Sequence, residues 1–215
     1  MENRWHIIGL LVLPLCALLG APPANGGLMG GAAGQPGSVV RVEEDWILIV
    51  NQPDQNVAAP QLSSQMAQDG TGSIFCNLHL NSRDFPKYGA GGLQVQIWSG
   101  SSNVASKTWD TSAVMNTPNE VVTWTQYLDV NKGPMTFGIS AASSETWGDF
   151  SGQQIGVPTN VVSLDNYTVD YSVANSGITF GANRVSYLAV AAVRIYYQDG
   201  SVQTDSTERI VYPAP

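Results

Sequence analysis

Three consecutive acids, Glu43-Glu44-Asp45, stand directly before Trp46 in the stretch VEEDWILIV. Side chains alternate along a β-strand, so Glu43 and Asp45 would share one face. Two carboxylates on one face are the equipment of glycoside hydrolysis: one attacks the sugar and the other protonates the leaving oxygen. The Glu-x-Asp-x-x-Glu spacing that serves this chemistry on one strand needs a third acid at position 48, which here is Leu48. The run that follows is wholly apolar, where a catalytic strand would keep a polar face. The cluster is therefore expected to be a charged lead-in to a strand, shielding a sheet edge or corner. A second acid pair, Glu145 and Asp149, lies in SSETWGDFSGQ. No alternating apolar frame surrounds it, and a solvated loop is the expectation.

Other chemistries meet a shortage of ligands. With His6 in an N-terminal leader, His79 is the one histidine of the mature chain, and no Gly-x-Ser-x-Gly elbow accompanies it. His79 alternates against Leu78 and Leu80 and is expected to face outward or against a neighbouring strand. Cys76, alone once Cys16 leaves with the leader, sits in the apolar stretch SIFCNLHL and reads as a buried small hydrophobe. One His and one Cys are too few for zinc. Calcium needs only oxygen ligands, and Asp165 and Asp170, near Asn166 in SLDNYTVDY, are the candidates for a structural ion. The same residues also suit turns that bond their own backbone.

Aromatic residues offer a different chemistry, because flat rings stack on sugars. Trp46 and Trp124 share faces with aliphatic residues and are expected in the core. Trp98 falls on the Gln94/Gln96 face of its strand. Trp109 ends a weak strand, and Trp147 lies in the Gly/Ser-rich loop. Trp98, Trp109 and Trp147 are the candidate stacking residues, with Gln94, Gln96 and Asp149 as hydrogen-bonding partners.

The elements that must position these residues are strands. Alternation or apolar runs predict them at 46–50, 59–68, 73–80, 92–98, 104–110, 121–130, 134–142, 167–173, 178–180 and 185–200. The long run SYLAVAAVRIYY permits a helix. Its β-branched and aromatic end and the Gln-Asp-Gly turn after it favour a strand and hairpin. Ten or more short strands with Gly/Asn/Ser turns predict an all-β, antiparallel two-sheet β-sandwich of jelly-roll, concanavalin-like type.

Charged residues make up 12 % of the chain, about half the usual share, and the net charge is −8. An acidic surface repels phosphate backbones and argues against nucleic acid. MENRWH followed by IIGLLVLPLCALLGA reads as a signal peptide, assigned to residues 1–26, whose apolar run 7–21 is short for a membrane span. The Gly/Pro/Ala-rich segment 27–39 reads as a flexible spacer before a single domain, 40–215. The expected address is secreted, periplasmic or cell surface, with no transmembrane span once the leader is removed.

VEEDW…PD…APQ, GGLQVQIW, TWTQYLDV, TWGDFSGQ and SVANSGITFGANRVSYL together resemble uncharacterised secreted β-rich proteins of planctomycete bacteria. That resemblance implies an exported β domain and supplies no catalytic residues. A more distant likeness, carried by YLAVAAVRIYYQDG, is to concanavalin-like jelly-rolls. The chain is thus expected to be an exported, non-catalytic binding or surface module for a polysaccharide or another cell-surface component. The alternatives are a polysaccharide-active enzyme and a subunit of a cell-surface assembly.

Overall fold

Strand β1, Val39–Val50, shows why this chain folds as a sandwich. Its even positions Val40, Val42, Trp46, Leu48 and Val50 are buried, while its odd positions other than Glu43 are only partly covered. A computed structural model describes residues 37–51, 60–81, 92–109, 114–115 and 117–213. The predicted leader and spacer residues 27–36 lie outside these. No helix among the described residues is long and apolar enough to cross a membrane.

The remaining elements are β2 (Gln61–Ala67), β3 (Ile74–Leu80), β4 (Leu93–Ser99), β5 (Ser102–Trp109), β6 (Val121–Asp129), β7 (Met135–Ser143) and β8 (Gln154–Val157). They continue with helix α1 (Val169–Asn175), β9 (Gly177–Phe180), β10 (Val185–Tyr197), β11 (Val202–Asp205) and β12 (Arg209–Tyr212). They make two antiparallel sheets. One is seven-stranded, ordered β11-β10-β1-β6-β7-β8, with β12 also pairing β10; the other is five-stranded, ordered β5-β4-β3-β2-β9. This is the all-β, jelly-roll type sandwich that the alternation predicts.

The core fills the space between the sheets. Trp46, Leu48, Val122, Trp124, Leu128 and Phe137 come from the larger sheet; Leu62, Met66, Cys76, Leu78, Val95 and Ile97 come from the smaller. Trp46 and Trp124 face each other across β1 and β6, with ring centroids 5.7 Å apart and planes 8° apart. Such a pair adds about 0.5–1.5 kcal/mol beyond the area it buries. Both are core residues, as their apolar neighbours suggest.

Two expectations are corrected. Glu43-Glu44-Asp45 is not a lead-in at a sheet edge. The three acids lie in the middle of β1, which is flanked by β10 on one side and β6 on the other. The strand starts well before WILIV, and its acids are held within the sheet: Glu43 by Arg41 and Arg194, and Asp45 by Arg194. The segment 167–173 is not a strand: Val169–Asn175 is helical. Thr168 caps it, its hydroxyl accepting from Asp170 N, and Asp170 sits in the first turn where an acid favours a helix start. The helix touches β2 of one sheet and β10 and β12 of the other. Gly72, at φ +68°, lies against the Tyr171 ring so closely that a Cβ there would come within 2.5 Å of it.

Candidate functional site

The outer face of the five-stranded sheet carries a groove of about 570 Å³. The same alternation that buries Leu62, Leu78 and Val95 turns the intervening residues outward, and most of these are polar. Pairing then sets them side by side. Ser63, His79, Gln94 and Thr108 form one row across four strands, and Gln65, Asn77, Gln96 and Ser106 form the next. Trp98 and Gln96 line one flank of the groove; Phe180 and Thr179 of β9 line the other. From β9 to β4 is three strand spacings, about 14 Å. Phe180 is 51 % exposed, which is unusual for a large apolar side chain and leaves its ring open to the groove.

Along β4 the polar groups are joined head to tail. Trp98 Nε1 donates to Gln96 Oε1 at 2.8 Å, Gln96 Nε2 to Gln94 Oε1 at 3.0 Å, and Gln94 Nε2 to Thr108 Oγ1 at 3.2 Å. Phe75 on β3 runs its ring parallel to the indole, with centroids 6.1 Å apart and planes 2° apart. The Trp98 N–H is thereby satisfied and the ring held, so what this residue offers a ligand is an apolar face. Carboxamides both donate and accept, as sugar hydroxyls do. Asn77, 8 % exposed, lines the groove with its Oδ1 buried and without a hydrogen-bond partner. His79 is half-buried in the same floor.

The acids of β1 are employed elsewhere. Glu43 and Asp45 lie on the outer face of the seven-stranded sheet. Arg194 of β10 bridges them, its Nε 2.9 Å from Glu43 Oε2 and its Nη2 2.7 Å from Asp45 Oδ1. Arg41 Nη2 adds a contact to Glu43 Oε1 at 2.8 Å and its Nη1 reaches Asp129 Oδ2 at 2.9 Å. Tyr196 OH donates to Glu43 and Thr125 Oγ1 to Asp45. Partial burial pushes both carboxyls up. The hydrogen bonds outweigh it, from Arg41, Tyr196 and Arg194 on Glu43 and from Arg194 and Thr125 on Asp45, and hold both below the usual carboxylate range. Beside Asp45 a shallow depression of about 380 Å³ is floored by small residues such as Ala141, Ser143 and Ala191. Trp46 and Trp124 border it, but they are turned inward and are 1 % and 2 % exposed.

Glu44 points the other way, into the core, and is completely buried. Oε2 accepts from Trp46 Nε1 at 2.9 Å and Gln126 Nε2 at 2.8 Å; Oε1 accepts from Tyr167 OH at 2.6 Å and Ser172 Oγ at 2.5 Å. Burial pushes its carboxyl up against the pull of these four donors. Ser64 Oγ donates to Gln126 Oε1 at 2.7 Å, so β2 of the facing sheet joins the network.

The six candidate binding residues therefore separate. Gln94, Gln96 and Trp98 come together in the groove. Trp109 pairs with the inward-facing Leu93, packs partly buried against the core and carries Lys107 Nζ 4.6 Å from its ring centroid. It is on the opposite side of its sheet from the groove. Trp147 and Asp149 belong to the β7–β8 connection of the other sheet, where Trp147 meets Phe150 edge-on with centroids 5.5 Å apart. Asp149 Oδ1 accepts from Ser151 N at 2.8 Å, and the Ser151 hydroxyl and N–H hold its carboxyl below the usual range. Glu145, the other acid of that pair, is exposed. Glu120, which the sequence did not single out, clamps this loop by accepting from Thr146 N at 2.8 Å and Ser144 Oγ at 2.5 Å. Of the two calcium candidates, Asp165 Oδ1 accepts from Val39 N at 2.7 Å and Asp170 is exposed on α1. Among the described residues no group of three His, Cys, Asp or Glu side chains converges to hold a metal ion.

Asn77, Gln61, Thr179 and Phe180 are lining residues that sequence reading missed. Asn77 alternates with Phe75 and His79, which puts it on an outer face. Its place beside Gln96 follows only from the β3–β4 register.

No protein-family model matches the chain, and no curated protein matches it. A solved structure of ligand-free congerin I is similar over 84 % of this chain and 99 % of that one, at 9 % identity and a TM-score of 0.32. The fold assignment rests on the strand pairing described above.

Proposed function

We propose that this chain is an exported, non-catalytic β-sandwich that binds a carbohydrate chain along the outer groove of its five-stranded sheet. The observation that carries the reading is the composition of that groove. A fixed indole face at Trp98 and an exposed ring at Phe180 flank a floor of carboxamides. Sugars present apolar C–H faces to rings and hydroxyls to carboxamides, and the groove supplies both at once. Its span of about 14 Å suits several linked sugars better than one. The non-catalytic part of the reading is supported by the β1 acids, since Glu43 and Asp45 are tied to Arg194 on the far sheet and Glu44 is enclosed in the core.

The test is titration of the purified protein with laminarin, xylan and galactomannan, followed by calorimetry and tryptophan fluorescence, with calcium and with a chelator. Saturable binding without release of reducing sugar is the expected result. Loss of that binding in chelator would add a calcium site near Asp165 or Asp170. Reducing-sugar release that disappears in Glu43→Gln would overturn the non-catalytic reading.

A further inference from the structure

Asn77 stands between two glutamines, Gln65 on β2 and Gln96 on β4, and neither serves its side-chain carbonyl. Gln96 is committed along its own strand, to Trp98 on one side and Gln94 on the other. Gln65 Oε1 accepts from Tyr171 OH at 3.4 Å, toward α1. Asn77 Oδ1 is left buried without a donor, in a side chain 8 % exposed that lines the groove. Buried polar atoms are almost always paired, because leaving one unpaired forfeits its bonds to water. A strand that needed only packing at this position would be better served by an apolar side chain of the same shape.

We infer that Asn77 is the groove's specificity-determining acceptor: its carbonyl takes a hydroxyl that the ligand brings. This rests on the carbohydrate reading above and names one residue that enforces it. The terminal torsion of an asparagine is broad, so its carboxamide turns toward the groove without strain. A bound hydroxyl supplies the missing donor, and the same group can accept from the carboxamide N–H in return. A ligand with no donor at that point leaves the carbonyl orphaned and is rejected, which is how a site built around a hydrogen bond discriminates.

The inference has a signature that a merely structural asparagine would not give. Asn77→Leu keeps the branched shape and removes both polar atoms. Its thermal midpoint is expected to equal or exceed that of the wild type, while affinity for whichever of laminarin, xylan or galactomannan the wild type binds falls tenfold or more. Asn77→Ala, which adds no bulk, should lose affinity to the same degree. Affinity within twofold of wild type in both variants would overturn the inference and leave the carbohydrate reading standing. A midpoint several degrees lower in both would assign Asn77 to structure and overturn it as well. If the wild type binds none of the three polysaccharides, the reading falls and the inference falls with it.

Discussion

Arg194 shows how one residue's position decides what a neighbouring acid can do. Glu43 and Asp45 have the one-face spacing of a catalytic pair, yet the guanidinium between them turns them into an ion-pair network. Both titrate lower in the folded chain than in the unfolded one, so the unfolded chain binds more protons as pH falls. Their stabilising contribution is present above the unfolded carboxylate range and is lost as pH drops through the folded values. Arg194→Met should therefore destabilise the protein at pH 7 and do so progressively less below about pH 4. Urea midpoints of the two proteins from pH 3 to pH 7 would show the gap closing toward acid. A gap of constant width would show that Arg194 acts through packing alone. The face shared by Glu43 and Asp45 was legible in the sequence, and so was the missing acid at position 48. The partner was not, because Arg194 is distant in the chain and only the β1–β10 register brings it alongside. Trp98, Gln94 and Gln96 were legible for the opposite reason: they lie two apart on one strand, and period-two alternation is enough to group them.

Helix α1 packs on strands of both sheets, and Glu44 is where it is tied. Tyr167 just before the helix and Ser172 within it both donate to the buried carboxylate of β1. A hydrogen bond to a charged group is worth about 1.5–3 kcal/mol. Tyr167→Phe should thus lower unfolding stability by about 2 kcal/mol, read from the urea midpoint. An unchanged midpoint would remove α1 from the account of what holds the sandwich closed. The sequence misled here because YTVDYSV alternates like a strand. Thr168 and Asp170 were the helix-start signal, but seven residues are too few for propensity to declare itself. The run 185–197 was legible as a strand because its β-branched and aromatic end and its Gln-Asp-Gly turn agree. In the structure Gly200 takes φ +87° in that turn.

At the scale of the whole molecule the sandwich separates a charged outer face from a carboxamide-lined one, with an apolar core between them. Cys76 reports on that core: it is fully buried, and burial pushes its thiol far above the usual range. In a Cys16→Ser variant, which leaves Cys76 as the single thiol, a soluble thiol reagent should label the protein no faster than it unfolds globally. Labelling faster than unfolding would mean that the two sheets part locally. The sandwich itself was legible because alternation repeats in strand after strand; which outer face carries the groove was not, since both faces alternate equally well. The most direct test of the central claim is calorimetric titration of one bound polysaccharide with wild type, Trp98→Ala and Trp147→Ala, each shown to be folded. The account predicts a loss of tenfold or more in affinity, about 1.4 kcal/mol, for Trp98→Ala and a change within twofold for Trp147→Ala on the other sheet. Unchanged binding by Trp98→Ala, with the loss falling on Trp147→Ala instead, would contradict the groove as the site.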